Sequence, residues 1–256
     1  MRVDQLLVER GLASSRSQAQ RLIAAGVRWR SDGGDWKQIA KNGDLLPPAA
    51  EIELLDIAEA RYVSRGGLKL EAALKISGIK AEGKACLDIG QSTGGFTDCL
   101  LQQGAAQVVG IDVGQGQLHA QIRADERVIC LEQVNARNLD AQAWIEGIDR
   151  PEQAPAQFDL MVADLSFISL TLVLPAVVPL VRDGGDLLLL VKPQFELQPA
   201  QIGKHGLVKD PASYAVVEQR IRDCCAALGL EVRRWFDSPI TGGDGNREFF
   251  VHAKKP

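Results

Sequence analysis

Residues 85–95 read ACLDIGQSTGG, a short apolar run that ends at an acid and then breaks into small, flexible residues. Runs of this length are typical of strands buried on both faces of a parallel sheet. Similar runs lie at 106–112, 127–132, 158–165 and 186–191. Helical patterns such as 94–105 and 168–181 lie between them. The alternation predicts an α/β fold with a Rossmann-like, doubly wound parallel sheet.

The end of the sequence predicts a different kind of strand. After a long helix predicted at 211–228, two strand patterns, 230–240 and 247–255, are joined by the glycine-rich TGGDGN. A connection this short permits a hairpin but no crossover helix. We therefore expect the final strand to run antiparallel to the others.

The loop after the first strand predicts a ligand site, because ligands of doubly wound sheets bind at the carboxyl ends of strands. Its glycines allow close approach of a ligand to the backbone; they are Gly90, Gly94 and Gly95. Asp112 ends the next strand 24 residues after Asp88, where an acid typically binds a ribose hydroxyl pair. Asn135, beyond the third strand, could meet an adenine ring through its amide. These strand ends predict a nucleoside pocket.

The spacing of the glycines in this loop indicates which kind of nucleoside-containing cofactor the pocket binds. A dinucleotide fingerprint requires G-x-G-x-x-G and a phosphate-binding P-loop requires Gly-Lys-Ser/Thr, and neither is present. Instead, one glycine is followed by Ser92 and Thr93, which resembles motif I of S-adenosylmethionine-dependent methyltransferases. The antiparallel terminal hairpin is also typical of that class.

Four charged residues lie near the ends of the predicted elements. Lys69 is in a helix predicted just before the first strand, Asp164 and Lys192 end the fourth and fifth strands, and Glu248 opens the last. Asp164 and Lys192 each end a strongly apolar strand, where a charge is costly unless a neighbour needs it. Lys69 and Glu248, taken singly, are typical of plain surface charges, and a structural ion network is the alternative interpretation. The order Lys, Asp, Lys, Glu resembles the tetrad of the FtsJ-like ribose 2'-O-methyltransferases.

The first thirty residues are basic, with six arginines against two acids and a local charge of +4, although the whole chain carries −4. Residues 4–11 predict a short helix with Asp4 as N-cap and Gly11 beyond its end. Residues 14–26 predict a second helix, capped by Ser14 or Ser15 and closed by Gly26.

An apolar seam between these helices is predicted for Leu6, Leu7, Ala19, Leu22 and Ile23. With the apolar side of the helices buried in this seam, Arg16, Arg21 and Arg28 are expected to point to solvent. One interpretation is that these arginines simply form a solvated, charged face. Residues 1–29 resemble the small RNA-binding domain of ribosomal protein S-four, whose second helix presents arginines to phosphates. The usual V-N-G hairpin is replaced here by VRWRSDGGDW at 27–36.

The whole chain resembles the TlyA family of rRNA methyltransferases, historically called hemolysin A. The matching motifs are RYVSRGGLKLEAAL, LDIGQSTGGFTDCLLQQGAAQVVGIDVGQGQL, DLSFISL, LVKPQFE and SPITGGDGNREFF. The resemblance implies an RNA-binding domain at 1–60 and a methyltransferase domain at 61–256, with a boundary near 57–62. It also implies S-adenosylmethionine as methyl donor, no metal, and a cytidine ribose 2'-OH in 16S and/or 23S rRNA of ribosomal subunits as acceptor.

The resemblance also assigns residues. The tetrad is expected to be catalytic. The residues expected to bind the cofactor are Asp88, Gly90, Ser92, Gly94, Gly95, Phe96, Asp112 and Asn135. The residues expected to bind RNA are Arg2, Ser15, Arg16, Arg21 and Arg65.

A ribose hydroxyl is a poor nucleophile at neutral pH, so methyl transfer needs a base or a positive site that favours the alkoxide. We assign Lys192 this role, as base or as oxyanion stabiliser. A nearby cation such as Lys69 and partial burial would make its amine easier to deprotonate. Asp164 and Glu248 would orient the two ammonium groups.

Other classes are disfavoured by composition. The five cysteines have no C-x-x-C spacing, which argues against disulfides and structural zinc. The longest apolar stretch, 170–181, is too short and too proline-rich to cross a bilayer, and no secretory signal is evident, so a cytoplasmic protein is expected. A cytolysin would need an export signal or a membrane-active segment. A non-catalytic rRNA-binding protein remains the second alternative, which cofactor binding would test.

Overall fold

The chain divides into two packed units, 1–68 and 69–256, in a computed structural model. The structure describes residues 1–13, 15–31, 33–55, 61–242 and 245–256. Most of the predicted boundary region, 57–62, lies outside these ranges, so the boundary stays a prediction.

The first unit is a helix pair followed by a small antiparallel sheet. Its elements are α1 (Val3–Glu9), α2 (Arg16–Gly26), β1 (Val27–Arg30), β2 (Lys37–Gln38) and β3 (Glu51–Leu54). β1 is the central strand, paired with both β2 and β3. The predicted seam is confirmed, since all five of its apolar residues are buried in the core of this unit.

The start of α1 differs from the prediction. Arg2, not Asp4, is the N-cap residue. The carboxylate of Asp4 lies in the first turn and accepts two hydrogen bonds of 3.0 Å from the Arg2 guanidinium, which hold the pKa of Asp4 below its ordinary value. Asp4 lies inside the first turn of the helix, where an acid is favoured by the helix dipole. Ser15 caps α2 by accepting from the Gln18 amide at 3.2 Å, and Ser14 lies outside the described residues.

The second unit contains the predicted α/β sheet. Its helices are α3 (Gly66–Ser77), which begins in the first unit, α4 (Gly95–Gln102), α5 (Ala120–Arg123), α6 (Ala141–Glu146), α7 (Leu170–Val177), α8 (Pro193–Glu196) and α9 (Ser213–Ala227). Its strands are β4 (Ala85–Ile89), β5 (Gln107–Ile111), β6 (Val128–Leu131), β7 (Phe158–Ala163), β8 (Val181–Val191), β9 (Glu231–Asp237) and β10 (Phe249–Lys254). The order is β6-β5-β4-β7-β8-β10-β9, and β10 runs antiparallel to both neighbours as predicted.

Two elements differ from their predicted bounds. β8 begins at Val181 rather than 186, because the RDGGD stretch continues the strand through a register shift against β7. Gly184 permits this irregularity, since its φ of +75° is costly for other residues. The helix predicted over 168–181 ends at Val177, and a 3-10 turn over Val178–Leu180 follows.

The topology places the ends of several strands at one edge of the sheet. The carboxyl ends of β4, β5, β6, β7 and β8 share that edge because these strands are parallel. β10 runs the other way, so its amino end lies there, with Phe249 paired to Val191. Glu248 and Lys192, the adjoining residues, are thereby brought side by side. Among the described residues, no helix is long and apolar enough to span a membrane.

Candidate active site

A cleft of about 550 Å³ opens at this edge. Five of the predicted site residues line it, namely Gly90, Ser92, Asp112, Asn135 and Asp164. Its walls are mostly apolar and include Ile89, Ile111 and Val134. The volume and the few convergent polar groups are typical of a small-molecule site.

Asp112 connects the two loops that form the floor of the cleft. Its Oδ2 accepts from the Ser92 amide and its Oδ1 from the Gly114 amide, both at 2.7 Å. Ser92 has a φ of +48°, an uncommon conformation for a residue with a side chain. Each carboxylate oxygen can accept a further hydrogen bond, so Asp112 can both order the loops and bind a hydroxyl pair.

The glycines of the loop are required by space as well as by backbone angle. A Cβ on Gly90 would lie 2.6 Å from the Asp164 carbonyl oxygen, and one on Gly94 would lie 2.7 Å from the Leu118 side chain. Both have positive φ. Gly94 is the N-cap of α4, and Gly95 and Phe96 are buried in its first turn. These three residues shape the loop without lining the cleft.

Asp88 lies beneath the loop and is fully buried. Its Oδ2 accepts from the Thr97 hydroxyl at 2.7 Å, and Thr97 in turn accepts from the Gln91 amide at 2.9 Å. Burial raises the pKa of Asp88 to about 7, although the Thr97 hydrogen bond acts in the opposite direction. The structure therefore places Asp88 as a support of the loop. Asn135 lines the cleft, and its side-chain oxygen accepts from the Arg137 amide at 3.1 Å.

The four predicted charges form two ion pairs. Lys69 Nζ lies 2.5 Å from Glu248 Oε2, with both side chains at most one-tenth exposed. Lys192 Nζ lies 2.5 Å from Asp164 Oδ1, off the direction of a good hydrogen bond. Burial raises the pKa of Glu248, while Lys69 and then Lys192 act against the rise, so the two pairs are within electrostatic range of each other.

A second pocket, of about 490 Å³, adjoins this cluster. Lys192 and Glu248 line it, together with His205. Ser166 and Phe167 line both pockets. The charged cluster thus lies beside a shared wall between two binding spaces.

Sequence reasoning missed Ser166 and Phe167. Lys192 Nζ donates to Ser166 Oγ at 2.9 Å. Phe167 is 91% exposed, has a φ of +65°, and packs on Phe195 with ring centroids 5.2 Å apart. The available signal was the position of this aromatic residue, in the loop just after the strand that ends at the predicted site residue Asp164.

The residues predicted to bind RNA lie in the first unit. Ser15 and Arg16 are exposed at the start of α2, whereas Arg21 and Arg65 are half-buried. Arg2 is paired with Asp4. Arg28 differs from its prediction, because it binds Glu53 at 2.6 Å and lies over the Trp36 ring rather than pointing only into solvent. In the described part of the chain, no group of three or more His, Cys, Asp and Glu side chains could hold a metal.

The family model for FtsJ-like methyltransferases matches residues 62–255. The chain belongs to this family. A model for the S4 domain matches residues 1–26, in agreement with the predicted resemblance of the first helices. The FtsJ-like match covers all four charged residues of the cluster and the whole cleft.

Full-length relatives agree with the TlyA resemblance. The chain is 43% identical to a 16S/23S rRNA (cytidine-2'-O)-methyltransferase TlyA of Mycobacterium tuberculosis, over 98% of this chain and 88% of that one. It is 35% identical to hemolysin A of Brachyspira hyodysenteriae, over 98% and 99% of the two chains. A solved structure from Streptococcus thermophilus, provisionally described as a hemolysin, is 39% identical with a TM-score of 0.74 and covers 100% of this chain and 88% of that one. The predicted fold and family are confirmed.

Proposed function

We propose that this FtsJ-like methyltransferase uses S-adenosylmethionine to methylate the ribose 2'-OH of cytidine in 16S and/or 23S rRNA of ribosomal subunits. The observation that carries the proposal is the pair of lysine–carboxylate contacts at the edge of the cleft. The names of the TlyA relatives supply the substrate class.

The cleft fits the cofactor by its donor set and shape. Asp112 would accept from the ribose hydroxyls, the Asn135 amide would face the adenine, and Gly90 leaves the floor without a side chain. The loop amides before α4 add partial positive charge. When bound, S-adenosylmethionine supplies an electrophilic methyl group on a sulfonium centre.

The acceptor hydroxyl would lie in the pocket lined by Lys192 and Glu248. Asp164 and Ser166 hold the Lys192 amine in place through contacts of 2.5 and 2.9 Å. Lys69 holds Glu248 at 2.5 Å. A fixed neutral amine at this point would take up the hydroxyl proton, whereas a fixed ammonium would stabilise the oxyanion, in either case without reorganising during the reaction.

Phe167 supplies a surface for the acceptor base. Its ring is exposed between the two pockets. Aromatic side chains stack on unpaired bases of RNA, and this contact contributes to binding whichever base is presented. The stacked base would keep its ribose close to Lys192.

The first unit would attach the enzyme to rRNA phosphates through the exposed start of α2. Arg16 and Ser15 lie there, and guanidinium groups bind phosphate oxygens in a bidentate manner. A ribosomal substrate would place the protein in the cytoplasm.

The test is to incubate unmethylated small and large ribosomal subunits with the protein and S-adenosylmethionine, and then to map ribose methylation across both rRNAs. We expect a 2'-O-methylcytidine with the wild-type chain and none with Lys192→Ala. Cofactor binding without methyl transfer to either subunit, or to free rRNA, would favour a non-catalytic RNA-binding protein.

A further inference from the structure

Glu196 is a buried acid that the proposed chemistry does not use. It ends α8, four residues after Lys192, and its side chain is 3% exposed. Its Oε1 accepts from the Leu170 amide at 2.7 Å, and its Oε2 accepts from the Ser169 hydroxyl. Burial raises the pKa of Glu196, and the two hydrogen bonds act against the rise. The carboxylate therefore has two donors, both at the start of α7.

These hydrogen bonds fix one end of the loop over 164–169, which connects β7 to α7. The other end is held by the contacts of Asp164 and Ser166 with the Lys192 amine. The loop is thus attached at both ends to the single segment 192–196. Whatever fixes one attachment limits the movement of the other, because only a few residues separate them.

The middle of the loop needs such support. Phe167 is a bulky residue at positive φ, a conformation that persists only where the surrounding structure enforces it. Its ring is exposed, so core packing does not hold it. The ring packs on Phe195, and Leu165 and Ile168 pack against the core, so the attachments on either side of Phe167 act together with these contacts to hold it in place.

The segment that carries Glu196 is itself anchored from behind. Arg220 of α9 donates through its guanidinium to the Glu196 carbonyl oxygen. Leu197, the next residue, is buried in the core of the second unit. Glu196 therefore connects the packed helix α9 to the loop over 164–169.

We propose that Glu196 is a positioning residue for methyl transfer. By binding Ser169 and Leu170 it fixes the 164–169 loop, so that Asp164 and Ser166 hold the Lys192 amine and Phe167 keeps its exposed conformation. This inference rests on the proposed function.

The test compares single-turnover methyl transfer to ribosomal subunits at saturating S-adenosylmethionine, with the active fraction taken from the stoichiometry of cofactor binding. We expect Glu196→Ala to lower the rate constant at least tenfold. Glu196→Gln should retain at least half of it, since the amide oxygen can accept from Leu170 and the amide nitrogen can donate to Ser169 Oγ. Glu218→Ala, at a half-buried acid of α9 paired with Arg222, is the control and should leave the rate unchanged.

A double-mutant cycle separates positioning from general stability. Ser166→Ala should lower the rate severalfold in the wild-type chain but less than twofold in the Glu196→Ala chain, because the loop is already displaced there. Additive effects, or a Glu196→Gln variant as slow as Glu196→Ala, would overturn the proposal. A wild-type chain that binds cofactor and transfers no methyl would instead overturn the proposed function.

Discussion

Replacing Asp112 by alanine tests the cofactor assignment most directly. The carboxylate holds Ser92 and Gly114 through two hydrogen bonds of 2.7 Å, and in the proposed complex it also accepts from a ribose. A hydrogen bond to a charged group contributes about 1.5–3 kcal/mol. Loss of the ribose contact alone should therefore weaken S-adenosylmethionine binding by roughly 10- to 150-fold. Relaxation of Ser92 from its positive φ would add to this loss.

The assay is calorimetric titration with S-adenosylmethionine, with circular dichroism to establish that the variant is folded. Glu132 provides a matched control, because it too accepts from a loop glycine, Gly116, at 2.9 Å but is not among the residues that line the cleft. Glu132→Ala should change the affinity less than twofold. Unchanged affinity in folded Asp112→Ala would refute the ribose contact, and equal losses in both variants would assign the effect to loop order alone.

Four further predictions concern other parts of the molecule. Lys192→Arg should bind cofactor and rRNA normally yet transfer no methyl, because a guanidinium stays protonated; substantial turnover would make Lys192 an oxyanion stabiliser rather than a base. Changing Arg16 and Arg21 together to glutamine should weaken RNA binding and reduce its salt dependence without altering cofactor affinity. Equal RNA binding by the variant and the wild type across a salt series would show that the two arginines are solvated charges that do not contact RNA. Phe167→Ala should raise the KM for ribosomal subunits severalfold, whereas Phe167→Tyr should not; equal KM values in all three chains would remove the stacking role. The pKa of Asp88 is raised to about 7 in the folded state from an ordinary value near 3.8. Its protonated form therefore contributes stability that is present below about pH 4 and is lost as the pH rises to about 7. Asp88→Asn should flatten that part of the plot of unfolding free energy against pH, and an unchanged plot would contradict the assignment.

The strands of the large sheet could be predicted from the sequence because strands buried on both faces must be almost wholly apolar. The same reasoning located Asp164 and Lys192, since a charge at the end of such a strand is conspicuous. Glu248 and Lys69 were located only through the family resemblance. Their mutual contact depends on β10 running antiparallel beside β8, a long-range arrangement that no local pattern encodes.

Other features depend on contacts that the sequence does not display. Ser166, Phe167 and Glu196 lie in short segments after strands, whose conformation is set by contacts with each other's side chains. Asp4 has the residue type of an N-cap, but the helix begins one residue before it, at Val3, and its carboxylate pairs with Arg2 instead. The early start of β8 was missed because RDGGD has turn composition, and its place in the strand depends on the hydrogen bonds that Gly184 and Gly185 make with the backbone of Lys255.

The position of β10 between β8 and β9 also bears on how the catalytic unit is completed during folding. Among the strands that the structure describes, β9 is paired with β10 alone. It therefore cannot dock on the sheet until the segment that follows it in the chain has inserted. The same insertion delivers Glu248 to Lys69. A nascent or truncated chain that stops before this hairpin should therefore keep the cofactor loop and Lys192 but lack both the sheet edge and Glu248, the partner of Lys69. Premature methyl transfer by an unfinished molecule is thereby made unfavourable.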